Sequence, residues 1–395
     1  MRPQAGLLAT LGALSAFAPI SLDLYLPAFP TIGASLGVTA GDVQLTFSAC
    51  LAGLGLGQLV YGPLSDRYGR KPPLLAGLGL FVVASVLCAL APSLPALTAL
   101  RLLQGLGGCA GIVIARAIVR DCFDGPALAR AFSVVALVSM LAPMLAPPLG
   151  ALLLHWASWR FLFVVLAAFG FACLLASIRL DETHQHHQRT DHGVREAVRE
   201  YVALGTQRRF VVPATVGALG AATLFAYISA APAVFMTEYG VSTQAFALLF
   251  AGFSVCSVAG SQLNLHLAYR YDERTLLRAY LLVQVPSLAL LVLLTVAGAA
   301  LGAVVATLVV VHVCIGAIFP SAMAETMRPY ARRAGSAAAL MGTAQMVSGA
   351  VAAAVLARLA FSPDVEMAGL MLLTAALGLA LATLRTSTGP TPGPD

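Results

Sequence analysis

An all-α protein that crosses a membrane twelve times, in two six-helix halves, is the fold class this sequence predicts. Composition is the first reason. Of 395 residues, 59% are hydrophobic and 10% are charged. Soluble domains carry about 25% charged residues, and no soluble core of this length absorbs so much apolar surface. The second reason is pattern: apolar runs of about twenty residues recur, separated by short charged or Gly/Pro-containing turns. The third is an internal repeat at an offset of about 204 residues. Gly37-Val38-Thr39 returns as Gly240-Val241-Ser242, Pro27-Ala28 as Pro232-Ala233, Gln58-Leu59 as Gln262-Leu263, and Arg70 as Arg274.

The spans fall at about 6–30, 42–64, 74–91, 96–118, 128–153, 161–179, 210–236, 245–268, 276–297, 301–324, 335–359 and 367–385. They define a first half over 1–179 and a second over 210–385. A polar linker covers 180–209, and a Pro/Gly/Thr-rich tail over 386–395 is expected to be disordered. Within the linker, spacing predicts a short amphipathic helix over 194–204. His184, His186, His187 and His192 also lie there, in a polar, patternless stretch that reads as a solvated connector and not as a metal site.

Cations set the orientation. With the N-terminus inside, all but Arg101, Arg160 and Arg358 of the 23 Lys and Arg fall in cytoplasmic segments or adjacent helix ends. Both termini are therefore expected in the cytoplasm. The same distribution accounts for the net charge of +6 without nucleic acid. The seven cysteines sit mostly in apolar runs without metal spacing, so neither a disulfide framework nor a metal is expected.

The most charged turn is Gly62-Pro63-Leu64-Ser65-Asp66-Arg67-Tyr68-Gly69-Arg70-Lys71-Pro72-Pro73-Leu74. Gly62 is expected to let its helix approach a neighbour closely. Arg67, Arg70 and Lys71 keep the turn on the cytoplasmic side. Pro72 and Pro73 suit the first turn of the next helix.

Two ionisable residues stand inside apolar spans, where a charge costs about 2.5–3.5 kcal/mol and marks a pathway. Asp23 lies in Ser21-Leu22-Asp23-Leu24-Tyr25-Leu26-Pro27, and Pro27 cannot donate to the Asp23 carbonyl. Arg101 lies in Leu97-x-x-x-Arg101-Leu102-Leu103-Gln104-Gly105-Leu106-Gly107-Gly108, with Gln104 on its face. In the fifth span, Ala142-Pro143-x-x-Ala146-Pro147-Pro148-Leu149-Gly150 reads as a proline-kinked helix with small residues. In the second half, His312 and Gln345 are polar residues in apolar spans; they either line a cavity or bond neighbouring helices.

The charged turn resembles the loop motif of the major facilitator superfamily through Gly62, Leu64, Asp66, Arg67, Gly69, Arg70, Lys71 and Leu74. The Arg101 segment resembles that family's fourth-span motif. The fifth span resembles its antiporter motif at Pro147 and Gly150, with alanines replacing two glycines. Together with Asp-x-Tyr-Leu-Pro and Arg116-Ala117-x-Val119-Arg120-Asp121, these segments resemble the bicyclomycin-resistance (Bcr/CflA) group of drug:proton antiporters, related to chloramphenicol and florfenicol exporters.

The resemblance implies a monomeric, multi-pass transporter of the bacterial cytoplasmic membrane, not an enzyme. It would export small amphipathic drugs in exchange for protons, with no cofactor besides the proton gradient. Its partners would be drug, protons and lipid. Asp23 and Arg101 would couple protons, Arg101 tuning the carboxylate. The cavity would be lined by Asp23, Tyr25, Gln104, Tyr227, His312 and Gln345. Asp66 would close the cytoplasmic side against the start of the eleventh span, near Arg333-Ala334-Gly335-Ser336. No G-x-x-x-x-G-K-[ST] loop is present, which argues against an ATP-driven pump. The alternatives are a metabolite exporter or importer on the same scaffold, or a non-transporting membrane receptor.

Overall fold

The computed structural model describes residues 2–184, 194–359 and 361–383. The tail over 386–395, together with His186, His187 and His192, lies outside the described residues. Among those described, secondary structure is helical throughout: α1 (Arg2–Ser15), α2 (Phe17–Asp23), α3 (Phe29–Leu36), α4 (Ala40–Tyr68), α5 (Lys71–Ala89), α6 (Leu94–Cys122), α7 (Gly125–Trp156), α8 (Trp159–Ile178), α9 (Val194–Gly205), α10 (Arg208–Ala231), α11 (Thr243–Leu267), α12 (Glu273–Val296), α13 (Leu301–Met327), α14 (Ala334–Leu356) and α15 (Pro363–Thr383). Eleven helices are long and apolar enough to cross a membrane, and the bent pair Gly6–Ser15 and Phe17–Leu36, at 43°, makes a twelfth span. That first span runs further than expected, to Leu36. It is broken twice, after Ser15 and again between Asp23 and the 3₁₀ turn Leu26–Ala28 that holds Pro27.

The repeated triplets are helix punctuation. Gly37 (φ 68°) ends α3 in the left-handed region, which glycine adopts without strain. Thr39 then caps α4: its Oγ1 accepts from the Asp42 amide at 3.1 Å while the Asp42 carboxylate accepts from the Thr39 amide at 2.9 Å. Gly240 (φ 63°) and Ser242 repeat the stop and start before α11, Ser242 Oγ accepting from the Ala245 amide at 3.3 Å. The first span and its counterpart are also distorted at matching places, since α10 gives way to a π-helical segment at Pro232–Glu238.

In the first half α4, α5, α6 and α8 pack in the sequence α4–α6–α5–α8, with α1 and α2 against α6 and α7. In the second, α10 packs on α13, α14 and α15, and α12 on α13 and α15. Two seams join the sets: α4 on α14, and α7 on α11. Small residues let the backbones close. A Cβ on Gly53 or Gly105 would overlap the backbone of α6 or α4, and one on Gly260 or Gly316 would do the same between α11 and α13. Hydroxyls stitch the α4–α14 seam: Ser48 Oγ donates to the Ala350 carbonyl at 2.7 Å, and Thr343 Oγ1 donates to the Gly55 carbonyl at 3.0 Å. Gly62 is different from expectation. A Cβ there would meet nothing within 4 Å, so close approach is not its role.

Candidate functional site

The loop motif builds a charged knot at one end of the bundle. Gly69 (φ 91°) turns the chain out of α4 in a conformation other residues rarely adopt. This places Arg70 where its Nε donates to Asp121 Oδ2 at 2.8 Å and its Nη1 to Asp66 Oδ1 at 2.5 Å and Ser65 Oγ at 2.9 Å. Burial works against the Arg70 charge, but the bonds to Asp121 and Asp66 outweigh it and hold the guanidinium above its ordinary value. Glu182 accepts from the Arg70 and Lys71 amides at 2.8 and 3.1 Å, capping α5, and Lys71 Nζ donates to the Ile178 carbonyl at the end of α8. Arg67 lies over the Tyr68 ring. The second half repeats the arrangement one offset later, with Arg274 Nε 4.0 Å from Glu325 Oε1.

Asp66 does not reach the start of α14. Its carboxylate is held by Arg70. Ser336 instead donates to Glu200 of α9, while the neighbouring Tyr201 hydroxyl donates to the Leu59 carbonyl of α4 at 3.4 Å. Adjacent linker residues therefore touch both halves. Sequence reasoning missed Glu200 because α9 reads as a solvated surface helix.

Midway along its length, the broken first span carries Asp23. It is 4% exposed and makes no hydrogen bond or ion pair with any described residue. Arg101 is fully buried but is engaged elsewhere. Its Nη2 donates to the Ser21 carbonyl at 2.9 Å and its Nη1 to Gln104 Oε1. Gln104 Nε2 in turn donates to Ser85 Oγ at 2.7 Å. The guanidinium sits 4.2 Å from the Tyr25 ring centroid. In this structure Arg101 makes no bond to Asp23 and acts as a splint across the break. The C-cap amide of Leu24 bonds the Ile20 carbonyl, and the next carbonyl, at Ser21, takes the arginine.

Tyr25 and Gln104 belong to this splint, not to a cavity wall. Both are completely buried in the first half, with the Tyr25 hydroxyl 3.2 Å from Thr46 Oγ1. Ser85 carried no sequence signal beyond being a hydroxyl in an apolar run. In the fifth span, Pro147 is buried and Gly150 abuts the break itself, where a Cβ would overlap the Leu24 carbonyl oxygen. The antiporter-motif glycine thus seats α7 against the residue next to Asp23.

In the second half, Tyr227 of α10 is 2% exposed. Tyr227 is the residue one repeat on from Asp23. His312 packs edge-on to its ring at 4.4 Å, and Phe253 stacks on His312 at 4.7 Å. Phe250 stacks on Tyr227 at 6.1 Å. Gln345 is half-buried between α14 and α10, its side chain beside Gly217. The Tyr227 hydroxyl and His312 Nε2 make no hydrogen bond within the described residues. Among the described residues no group of three or more His, Cys, Asp or Glu is placed to hold a metal.

Comparison with known proteins agrees with this architecture. The sequence profile described as Major Facilitator Superfamily matches residues 11–353. The MFS-type transporter YdgK of Bacillus subtilis is 37% identical over 372 residues, covering 93% of this chain and 92% of that one. A bicyclomycin resistance protein homolog of Haemophilus influenzae is 31% identical over 87% of this chain and 86% of its own. The multidrug resistance protein MdtL of Escherichia coli is 31% identical over 85% and 84%. Among solved structures, a D-xylose-proton symporter shares the fold with a TM-score of 0.73 at 16% identity, covering 95% of this chain and 96% of that one. The chain belongs to the major facilitator superfamily and is a multi-pass membrane transporter, not an enzyme, with relatives among the bicyclomycin- and multidrug-resistance proteins.

Proposed function

We propose that this transporter exports small amphipathic drugs in exchange for protons, as a monomer in the bacterial cytoplasmic membrane with both termini inside. The observation that carries this reading is Asp23: an ionisable side chain at a helix break, buried, with no hydrogen-bond or ion partner among the described residues. A carboxyl group so placed is free to exchange its proton for a ligand contact. The names of the resistance relatives support drugs as the cargo.

Alternating access would open one end of the α4–α14 and α7–α11 seams at a time. The linker contacts at Ser336 and Leu59 would close the end that bears Arg70. No cofactor besides the proton gradient is called for.

The test is gradient-driven movement of chloramphenicol by the full chain in proteoliposomes, with wild type against Asp23→Asn. Transport that collapses with the proton gradient, and in Asp23→Asn at equal insertion, is expected. Undiminished transport by Asp23→Asn, or none by wild type, would overturn the reading.

A further inference from the structure

The second half carries a cavity of about 260 Å³ that the export reading does not use. It lies between α11, α12 and α13, at the end of the bundle where Glu273 meets Arg328. Gly260 and Gly316 bring the α11 and α13 backbones into contact. Within two turns of that contact, Asn264, Leu265 and Ala268 share one face of α11, and Pro320, Ser321 and Ala324 of α13 form the other wall. One repeat earlier, the places of Pro320 and Ala324 are held by Arg116 and Arg120. The second half thus has two short side chains where the first has two long cations.

The polar chemistry of this cavity is one-sided. Asn264 is 7% exposed, and Ser321 Oγ donates to its Oδ1 at 2.8 Å. That bond leaves Nδ2 as the free end of the amide, and Nδ2 bonds no other described residue. An amide nitrogen only donates, and enclosed donors take acceptors. The one charged lining residue is Glu273, which already faces Arg328 at 3.8 Å. An anion would meet a carboxylate, and a cation would have to displace an arginine. Leu265, Leu276 and Pro320 supply apolar wall. A neutral ligand with an acceptor beside an apolar body meets all of these conditions.

We propose that this cavity is a second ligand site, for neutral small molecules bearing a carbonyl or hydroxyl oxygen. Asn264 Nδ2 donates to that oxygen, and Leu265, Leu276 and Pro320 pack on the apolar part. Drug-sized ligands fill pockets of about 300–1,000 Å³, so the cavity takes a small ligand or one end of a larger one. Asp23 has no part in it. On the export reading, cargo docks here on the cytoplasmic side before it moves inward. That docking role rests on the export reading, whereas binding at the cavity does not.

The experiment uses the purified full-length protein in detergent and two probes. Chloramphenicol is neutral and carries an amide and hydroxyls; tetraphenylphosphonium is a cation without an oxygen acceptor. Ala324→Cys places a thiol at an exposed position on the rim, and mass spectrometry reads its alkylation by N-ethylmaleimide residue by residue. Chloramphenicol should slow alkylation at 324 saturably, and tetraphenylphosphonium should not. Adding Asn264→Leu, which removes the donor at similar volume, should raise the half-protecting concentration by about tenfold. Ala324→Leu fills the cavity from its rim and leaves the Asn264–Ser321 bond in place. It should weaken chloramphenicol binding by about tenfold or more.

No protection at 324, protection unaltered by Asn264→Leu, or equal protection by tetraphenylphosphonium overturns the inference. So does unchanged chloramphenicol affinity in Ala324→Leu, the variant that decides if Asn264→Leu does not fold. In proteoliposomes, Ala324→Leu should raise the chloramphenicol concentration for half-maximal transport and leave the maximal rate unchanged; an unmoved half-maximal concentration removes the docking role. If wild type is protected at 324 but moves nothing with the gradient, the export reading falls and the site stands. If wild type transports and 324 is never protected, the site falls and export stands.

Discussion

Replacing Gly150 by alanine tests whether contact between α7 and the break in the first span governs the site. A Cβ at this position would fall closer than 3.0 Å to the Leu24 carbonyl oxygen. The obstacle is backbone, so no side-chain rotation relieves it. Restoring an ordinary contact of about 3.5 Å requires α7 or the break to retreat by about 1 Å or more. Overpacking of this kind costs about 1–3 kcal/mol, and the better helix propensity of alanine returns about 1 kcal/mol.

Gly62→Ala is the internal control. It gains the same propensity, and its Cβ meets nothing within 4 Å. The two variants should therefore move in opposite directions in thermal unfolding of the purified protein. Gly62→Ala should rise slightly, and Gly150→Ala should fall by the equivalent of up to about 2 kcal/mol. Because Leu24 adjoins Asp23, Gly150→Ala should also lose gradient-driven transport. If Gly150→Ala unfolds at or above the Gly62→Ala midpoint and transports fully, the packing argument is wrong.

Three further outcomes follow from the geometry. Arg101→Lys keeps a charge but loses the planar fork that reaches Ser21 and Gln104 together. It should lower folded yield by leaving a buried carbonyl unpaired, about 1–3 kcal/mol, and should leave the pH midpoint of ligand binding unmoved; a shifted midpoint would mean that Arg101 does act on Asp23. Arg70→Ala removes the cation bonded to Asp121 and Asp66, and should destabilise by about 2–3 kcal/mol, most of it through Asp121 because Asp66 is half exposed and screened; urea unfolding in detergent reads the change. Cysteines at 200 and 336 should cross-link and stop transport, while cysteines at 66 and 336 should not; the reverse pattern would restore Asp66 as the closing contact.

The spans were legible because charge is so scarce that each turn announces itself. The loop motif predicted its own turn, and the Pro72-Pro73 pair sits in the first turn of α5 as expected. Pro27 signalled the break in the first span. Hydropathy could not show where that span ended, because residues 31–36 mix Thr, Gly and Ser with apolar side chains and look like a loop.

The repeat offset pointed from Arg70 to Arg274, and through the same arithmetic reaches Asp121–Glu325 and Asp23–Tyr227. The Ser21 partner of Arg101 was not legible, although Gln104 was. The Ser21 group is a backbone carbonyl, which every residue possesses, on a helix far away in sequence. Gly62 and Gly150 are both motif glycines, yet only the packed structure shows that one faces open space and the other a neighbouring backbone.

The bond between Arg101 and Ser21 joins residues 80 positions apart, and this separation has a consequence during synthesis. At about 5–20 residues per second, the fourth span emerges roughly 4–16 s after the broken first span. Until then the carbonyl at the break has no arginine, and a lone Asp23 stands in the same segment. The first span cannot complete its native contacts on leaving the ribosome. Assembly order is thereby written into the site: the segment carrying the unpaired carboxylate is among the first made, and it is settled only when α6 arrives.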